Sequence, residues 1–320
     1  MKAITHNTFG PPEVLGLAEV PTPEPGPGEL RVRVMATTVN RTDTGFRDPQ
    51  YLLVRLFSGL RRPKNPILGS EFAGVVDKVG PNATRFKEGD RVFGLRTFRF
   101  GAHAEYLCIK EDASIATMPR SASFEEAAAV CDGLMLAKNY VGRIDFARSP
   151  RLLINGGTGS IGCAALQLAK SRGAHVTVTC KTSAIGLMKE LGADAVIDYT
   201  KEDFTIRGER FDVVLDAVGK STFFRCRRIL VPKGIYYSSE LGPWWQNPLL
   251  ALLTPLLGGR RVGFPIPTDR QSDIEMFRDL MESGKVRAVI DRVWPLADII
   301  EATRYVETGE KTGNVVIRVA

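Results

Sequence analysis

Gly157-x-Gly159-x-x-Gly162 directly follows the apolar run Leu152-Leu-Ile154 and opens a segment that puts Ile161, Ala165 and Leu168 on one helical face. Glycines at this spacing let the chain turn sharply from a strand into a helix. They also let backbone amides approach a phosphate at the positive end of that helix. The pattern is weak alone, but its strand-turn-helix setting makes it a dinucleotide site, with Gly156, Gly157, Thr158, Gly159, Ser160, Ile161 and Gly162 around the pyrophosphate. The next β-rich run, His175-Val-Thr-Val-Thr179, ends in Cys180-Lys181-Thr182-Ser183. An NAD enzyme presents an acid to the ribose hydroxyls here. Lys181, Thr182 and Ser183 instead suit a 2′-phosphate, which favours NADPH; the competing reading of Lys181 is an exposed lysine at a helix start.

The elements that would position these residues follow from periodicity. From Arg151 the chain alternates strands (152–154, 175–179, 195–197, 213–215, 235–237) with helices (160–172, 183–191, 221–230), which implies right-handed crossovers and a doubly wound parallel sheet. Roughly the first 120 residues instead read as short β segments such as Leu30-Arg-Val-Arg-Val34, Phe72–Val76 and Arg91–Phe93, a barrel-like β domain. The run Pro21-Thr-Pro-Glu-Pro-Gly-Pro-Gly28 must be an irregular loop, because proline removes donors and fixes φ. A capping box, Ser123-Phe-Glu-Glu126, starts the helical part. After residue 268 come a helix capped at Ser272-x-x-Glu275, another near Asp298 and a strand at Asn314–Val319. One helix pair and a strand make a poor domain, so this tail is expected to complete the first one and leave a cleft between the two. The expected organisation is a catalytic domain at 1–120 with 269–320, and a dinucleotide-binding Rossmann domain at 121–268.

Composition narrows the function classes. The chain has 320 residues, 44% hydrophobic and 25% charged, as in an ordinary globular protein. No apolar run reaches a membrane span, and the start lacks a secretory h-region, so a cytoplasmic location is expected. Five scattered cysteines without a Cys-x-x-Cys pair suggest neither a disulfide framework nor a zinc cluster. The net charge is +7, but Arg61-Arg62, Arg227-Arg228 and Arg260-Arg261 are separated doublets and no nucleic-acid-binding motif surrounds them. No nucleic-acid partner is expected.

Taken together, these residues resemble the medium-chain dehydrogenase/reductase superfamily, in its zinc-independent quinone oxidoreductase branch. The marks span almost the whole chain: Met1-Lys-Ala-Ile4 with Gly10-Pro-Pro-Glu-Val14, Asn40 with Asp43, Pro66-Ile-Leu-Gly-Ser-Glu-Phe-Ala-Gly-Val-Val76, Lys87–Val92, Gly101-Ala-His-Ala-Glu-Tyr106, the glycine loop, Leu191–Asp194, Val196-Ile-Asp-Tyr199 and Gly313–Ile317. The resemblance implies an α/β protein with a GroES-like β-barrel-type catalytic domain and a Rossmann cofactor domain. In zinc-dependent relatives three separated Cys, His or Glu residues hold a catalytic metal. The matching positions here carry Asn40, Ser70 and Cys131, so no metal is expected.

Without zinc to polarise an alcohol, the implied chemistry is reduction of an already electrophilic, lipophilic small molecule, a quinone or an α,β-unsaturated carbonyl. Such a reaction needs positioning and a hydrogen-bond donor for the acceptor oxygen. The resemblance makes Asn40 the polar group for this, Asp43 its loop-orienting neighbour or a plain loop cap, and Tyr51 a further donor. It sets Tyr199 beside the cofactor phosphate or adenine, with core packing as the alternative. A homodimer through edge strands near residue 260 is expected. The apolar stretches 50–63 and 244–253 depart from the shorter family pattern. They read as a hydrophobic mouth, a dimer contact, a peripheral membrane touch or helices packed on the protein itself. Two other functions stay open: reduction or oxidation of another carbonyl or alcohol, and a catalytically weak NADPH-binding sensor.

Overall fold

The alternating run around Val32 becomes an 11-residue strand about which the N-terminal architecture is arranged. A computed structural model describes residues 1–320 except Tyr51 and Phe98, and only the backbone of Leu52 and Leu53. The chain begins with β1 (Lys2–Thr5), β2 (Gly16–Glu19), β3 (Glu29–Val39), α1 (Arg41–Arg47) and α2 (Leu52–Ser58). Next come β4 (Glu71–Val79), β5 (Arg91–Leu95), β6 (Tyr106–Lys110), β7 (Ile115–Thr117) and α3 (Phe124–Ala128). The middle of the chain holds α4 (Cys131–Val141), β8 (Arg151–Asn155), α5 (Ser160–Lys170), β9 (His175–Cys180), α6 (Ile185–Glu190) and β10 (Ala195–Asp198). It continues with β11 (Phe211–Asp216), α7 (Phe223–Cys226), β12 (Leu230–Ser238), α8 (Gln246–Leu253) and β13 (Arg261–Gly263). The chain ends with α9 (Gln271–Glu282), β14 (Ile290–Pro295), α10 (Ile299–Thr308) and β15 (Asn314–Arg318).

The chain divides into two compact units, Met1–Asp132 with Asp269–Ala320, and Gly133–Thr268. The first division lies after Asp132 rather than residue 120, because α3 packs on β3, β4, β5 and β15 of the first unit. In that unit β3 pairs with β4 on one side. On its other side β6 takes the first half, Glu29–Arg33, and β15 the second, Ala36–Val39. Register shifts at Arg31/Val32 and Val34/Ala36 bend the sheet further. Leu30, Val32, Phe72, Val92, Leu107 and Ile115 form one core, and Val39, Leu68, Phe100, Ile299, Val315 and Ile317 form a second.

In the second unit six parallel strands run in the order β10-β9-β8-β11-β12-β13, which reverses direction between β8 and β11. Central β8 is apolar at consecutive positions, Leu152 to Ile154, because helices cover both faces of such a sheet. Several helices are shorter than periodicity suggests. α5 stops at Lys170, and α7 is a single turn followed by a 3₁₀ turn at Arg227–Ile229, since β12 already starts at Leu230. At α9 the cap is Arg270 rather than Ser272: the Arg270 N–H donates to the Asp273 carboxylate at 3.1 Å. Among the described residues no helix is long and apolar enough to cross a membrane.

Candidate cofactor and catalytic sites

In the second unit the loops after β8 and β11 meet at the point where the strand order reverses. A Cβ on Gly156, whose φ is +84°, would lie 2.3 Å from Cγ1 of Val218. One on Gly157 would lie 2.9 Å from Cβ of Val178, and one on Gly162 would lie 2.2 Å from the Gly156 carbonyl oxygen. These three glycines are demanded by the fold itself. Gly159 is not: its φ is −70°, and the nearest atom to an added Cβ is 3.7 Å away. Gly159 is the N-cap of α5 and brings no side-chain oxygen, so the N–H groups of Ser160, Ile161 and Gly162 lack a capping side chain. Uncapped donors at a helix N-terminus, at the reversal point of a parallel sheet, suit an anionic group.

A buried polar network, which the sequence reading missed, fixes this loop. The Thr179 hydroxyl accepts from the Gly156 N–H at 3.0 Å and donates to Asn155 Oδ1 at 2.7 Å. Asn155 Nδ2 donates to Asp216 Oδ1 at 3.0 Å, while Asp216 Oδ2 accepts from the Ser221 N–H at 2.7 Å and the Tyr236 hydroxyl at 3.2 Å. Burial, reinforced by Asp216, pushes the Tyr236 phenol well up, so it keeps the proton it donates. The network joins β8, β9, β11 and β12. Its signal in the sequence is a polar residue at the C-terminal end of each strand.

At the end of β9, the Lys181 carbonyl accepts from the Ala184 N–H at 2.9 Å while its ammonium makes no hydrogen bond or ion pair among the described residues, and Ser183 is exposed. Thr182, expected to face a phosphate, is turned elsewhere: its hydroxyl donates to Asp198 Oδ2. Asp198 ends the neighbouring β10 and also accepts from the Thr200 hydroxyl at 2.6 Å and N–H at 3.0 Å. These hydrogen bonds, Thr182 first, hold its carboxyl down at about 2. Tyr199 follows Asp198 and is 54% exposed, so it is not packed in the core.

In the first unit Asn40 and Asp43 come together as a capping box at α1. Asn40 Oδ1 accepts from the Asp43 N–H, and Asp43 Oδ2 accepts from the Asn40 N–H, each at 3.0 Å. Asp43 Oδ1 also accepts from the Gly69 N–H at 3.0 Å. Asn40 Nδ2 donates to Ser70 Oγ at 2.9 Å and to Glu71 Oε2 at 3.2 Å, so its amide hydrogens point inward. Glu71, overlooked in the sequence, is fully buried and also accepts from the Thr38 hydroxyl and the Asp132 N–H. Burial raises the Asp43 and Glu71 carboxyls to about 7. Burial, then Glu71 and Asp43, pushes Asp132 up, and burial does the same to the Cys131 thiol, which donates to the Ala127 carbonyl at 3.4 Å. His103 is pushed down to about 4 by burial and is neutral, as expected of a packed histidine. Tyr51, the third candidate, lies outside the described residues.

The three positions implied for a metal do not fit one. Asn40 directs N–H groups at its neighbours and Ser70 accepts one of them, so of the three positions only Cys131 carries a side chain of the thiolate, imidazole or carboxylate kind that zinc needs. Among the described residues no other group of His, Cys, Asp and Glu is arranged to hold a metal ion.

Residues 26–120 match the model of the alcohol dehydrogenase GroES-like domain, and residues 191–317 that of a zinc-binding dehydrogenase. The chain is 32% identical to the 2-methylene-furan-3-one reductase of Solanum lycopersicum, over 99% of this chain and 79% of that protein. It is 29% identical, with the same coverage, to the chloroplastic NADPH-dependent alkenal/one oxidoreductase of Arabidopsis thaliana. The solved structure of the quinone oxidoreductase from Coxiella burnetii matches with a TM-score of 0.89 at 27% identity, over 100% of this chain and 99% of that one.

Two expectations follow from these geometries. Gly159→Asp places a good capping residue where nothing obstructs it, so thermal stability holds or rises while dinucleotide affinity falls roughly 100-fold through repulsion of the pyrophosphate; Gly162→Ala instead destabilises by about 2 kcal/mol or more. Calorimetry and a binding titration check both, and unchanged affinity in the Gly159 variant refutes the site. For Glu71 the folded pKa exceeds the unfolded one, so its contribution is complete below about pH 4 and is lost as pH rises through 7. The stability of the wild type relative to Glu71→Gln therefore drops by on the order of 2 kcal/mol between pH 5 and pH 8. An offset that is the same at both pH values in urea unfolding contradicts this.

Proposed function

Because the chain belongs to the medium-chain dehydrogenase/reductase superfamily, in its zinc-independent quinone oxidoreductase branch, we propose that it is an NADPH-dependent, zinc-free reductase of a quinone or an α,β-unsaturated carbonyl. As a member it is an oxidoreductase, with a GroES-like first unit and a Rossmann-type second unit. The observation that carries the cofactor reading is Gly159, a glycine with no reason in the fold, at a helix start left uncapped.

Bound NADPH supplies a hydride. The chain's own residues hold and orient. The amides of Ser160, Ile161 and Gly162 would hold the pyrophosphate, Lys181 and Ser183 the 2′-phosphate, and the exposed Tyr199 ring would flank the adenosine end. The turn of Thr182 toward Asp198 leaves Lys181 as the main selector for the phosphate. A relative named as NADPH-dependent supports this preference. Asn40 and Asp43 act as positioning residues, since their capping box and the Ser70 and Glu71 bonds fix the chain on both sides of α1. Tyr51 is retained as the candidate donor to the acceptor oxygen.

The acceptor class is supported by the names of relatives, which act on furanones, alkenals and quinones. It also follows from the donor set: with an amide and a hydroxyl where a metal would need strong ligands, the acceptor must be electrophilic already. Five free cysteines, four of them buried, fit a reducing compartment such as the cytoplasm. β13 leaves one sheet edge open, where a second copy would extend the sheet into a homodimer.

Side-by-side oxidation of NADPH and NADH with a short quinone and a 2-alkenal tests the reading, with an alcohol plus NADP+ as the reverse assay. Fast NADPH loss with either acceptor is expected, and silence in every assay despite tight NADPH binding points to a sensor instead. Lys181→Asp should raise KM for NADPH about tenfold more than KM for NADH; equal changes remove the preference. Stoichiometric zinc in purified protein, with activity lost to a chelator, overturns the zinc-free assignment.

A further inference from the structure

The side chain of Arg96 takes no part in either site. It directly follows β5, is half-buried, and its guanidinium makes no hydrogen bond or ion pair among the described residues. Burial, then the like charge of Arg99, lowers it to about 10, so it stays protonated at neutral pH. Cys108 and Glu29 act on it only across space. The Glu29 carboxylate is already bonded to the Gly26 N–H at 3.0 Å, and Asp269, the acid bonded to this turn, accepts from the Thr97 hydroxyl at 2.8 Å. A partly buried cation without a counterion costs stability, and an anionic ligand would remove that cost.

The turn that carries Arg96 is strained. The N–H groups of Arg99 and Phe100 donate to the Arg96 carbonyl at 3.1 and 2.9 Å. Phe100 is buried at a φ of 50°, with its ring centre 4.7 Å from that of Phe46, a costly backbone for an aromatic residue. Gly101 follows at a φ of +102°, and a Cβ there would lie 3.1 Å from Nη1 of Arg96, so a side chain would crowd the guanidinium. Strain in a turn that fixes one unpaired charge points to recognition. The turn is also tied to the polar cluster around Asn40. The N–H groups of Arg96, Gly101 and Ala102 donate to the carbonyls of Ser70, Leu68 and Gly69 at 2.7, 3.1 and 3.1 Å. Ser70 in turn accepts from the Asn40 amide. One residue therefore links Arg96 to the group assigned to position the acceptor.

We propose that Arg96, with the exposed Arg99 beside it, holds an anionic group of the acceptor, so that the substrate is a conjugated carbonyl compound bearing a carboxylate or a phosphate. This rests on the reductase reading and narrows its substrate class. A planar guanidinium offers paired N–H groups to two oxygens of one anion, and Arg99 adds positive charge at the rim. The cofactor phosphates are assigned to the second unit, which leaves this cation in the first unit to the acceptor.

The test compares three enones of one chain length, ending in a methyl ester, a carboxylate or a phosphate, with NADPH as reductant. One anionic acceptor should show a kcat/KM about tenfold or more above that of the ester, through a lower KM, and the better of the two identifies the group. Arg96→Gln should reduce that preference about tenfold and Arg96→Lys should restore part of it, while the melting temperature of Arg96→Gln holds or rises because an unpaired charge is gone. The proposal falls if the wild type turns over all three alike, if Arg96→Gln keeps the preference, or if the variant raises KM for NADPH instead. Equilibrium titration of the full chain with the saturated ketones of the same series separates this outcome from failure of the reductase reading. If no enone is reduced, yet an anionic ketone binds the wild type about tenfold more tightly than the ester and Arg96→Gln loses the difference, the anion site stands and the reductase reading falls.

Discussion

Asp216 is a carboxylate with no access to water, and such a group is tolerated only where donors surround it. Its donors come from the end of β8, the backbone after β11 and the ring on β12, with Thr179 of β9 joined through Asn155. To satisfy this one buried group, residues of four strands must therefore sit at fixed positions. The glycine loop springs from one of these ends and is tied to another through the Gly156 N–H. The position of the uncapped α5 N-terminus is a consequence of that constraint. Apolar packing alone would give the same sheet order with a looser rim.

The first unit solves a similar problem with different means. Glu71 gathers bonds from Thr38, Asn40 and Asp132, which lie at the end of β3, the cap of α1 and the start of α4. Asp43, Glu71 and Asp132 share this interior, where burial outweighs the pull of Lys311 on Asp132 and favours their protonated forms. The hub is thus stable because its acids can be neutral.

How much of this is legible in the sequence depends on whether backbone or side chains do the recognising. The glycine loop is legible because backbone geometry imposes a spacing, and three of its glycines are required by contacts with Val218, Val178 and the loop itself. The strand order follows from the alternation of short apolar runs with helices. Asp216 and Glu71 are hidden because each is a single acid beside a strand, and nothing local distinguishes a buried, partnered acid from an exposed one. Thr182 misleads for the same reason: its type suits a phosphate, but the Asp198 that claims it lies on the neighbouring strand and becomes adjacent only when β9 and β10 pair. Leu250 and Leu252 are chemically alike, yet one joins the core and the other is 74% exposed. Periodicity in a wholly apolar helix cannot assign its faces.

The polar hub also bears on the chemistry. An amide that points N–H groups at Ser70 and Glu71 repels a cation placed there. With this arrangement Asn40 cannot both complete the hub and activate an unreactive alcohol through a metal. What the capping box does is hold the segments bearing Asp43 and Gly69 in register. A site of that kind contributes orientation rather than electrophilic activation. On the reading proposed above, it suits acceptors whose own conjugation spreads the charge delivered with a hydride.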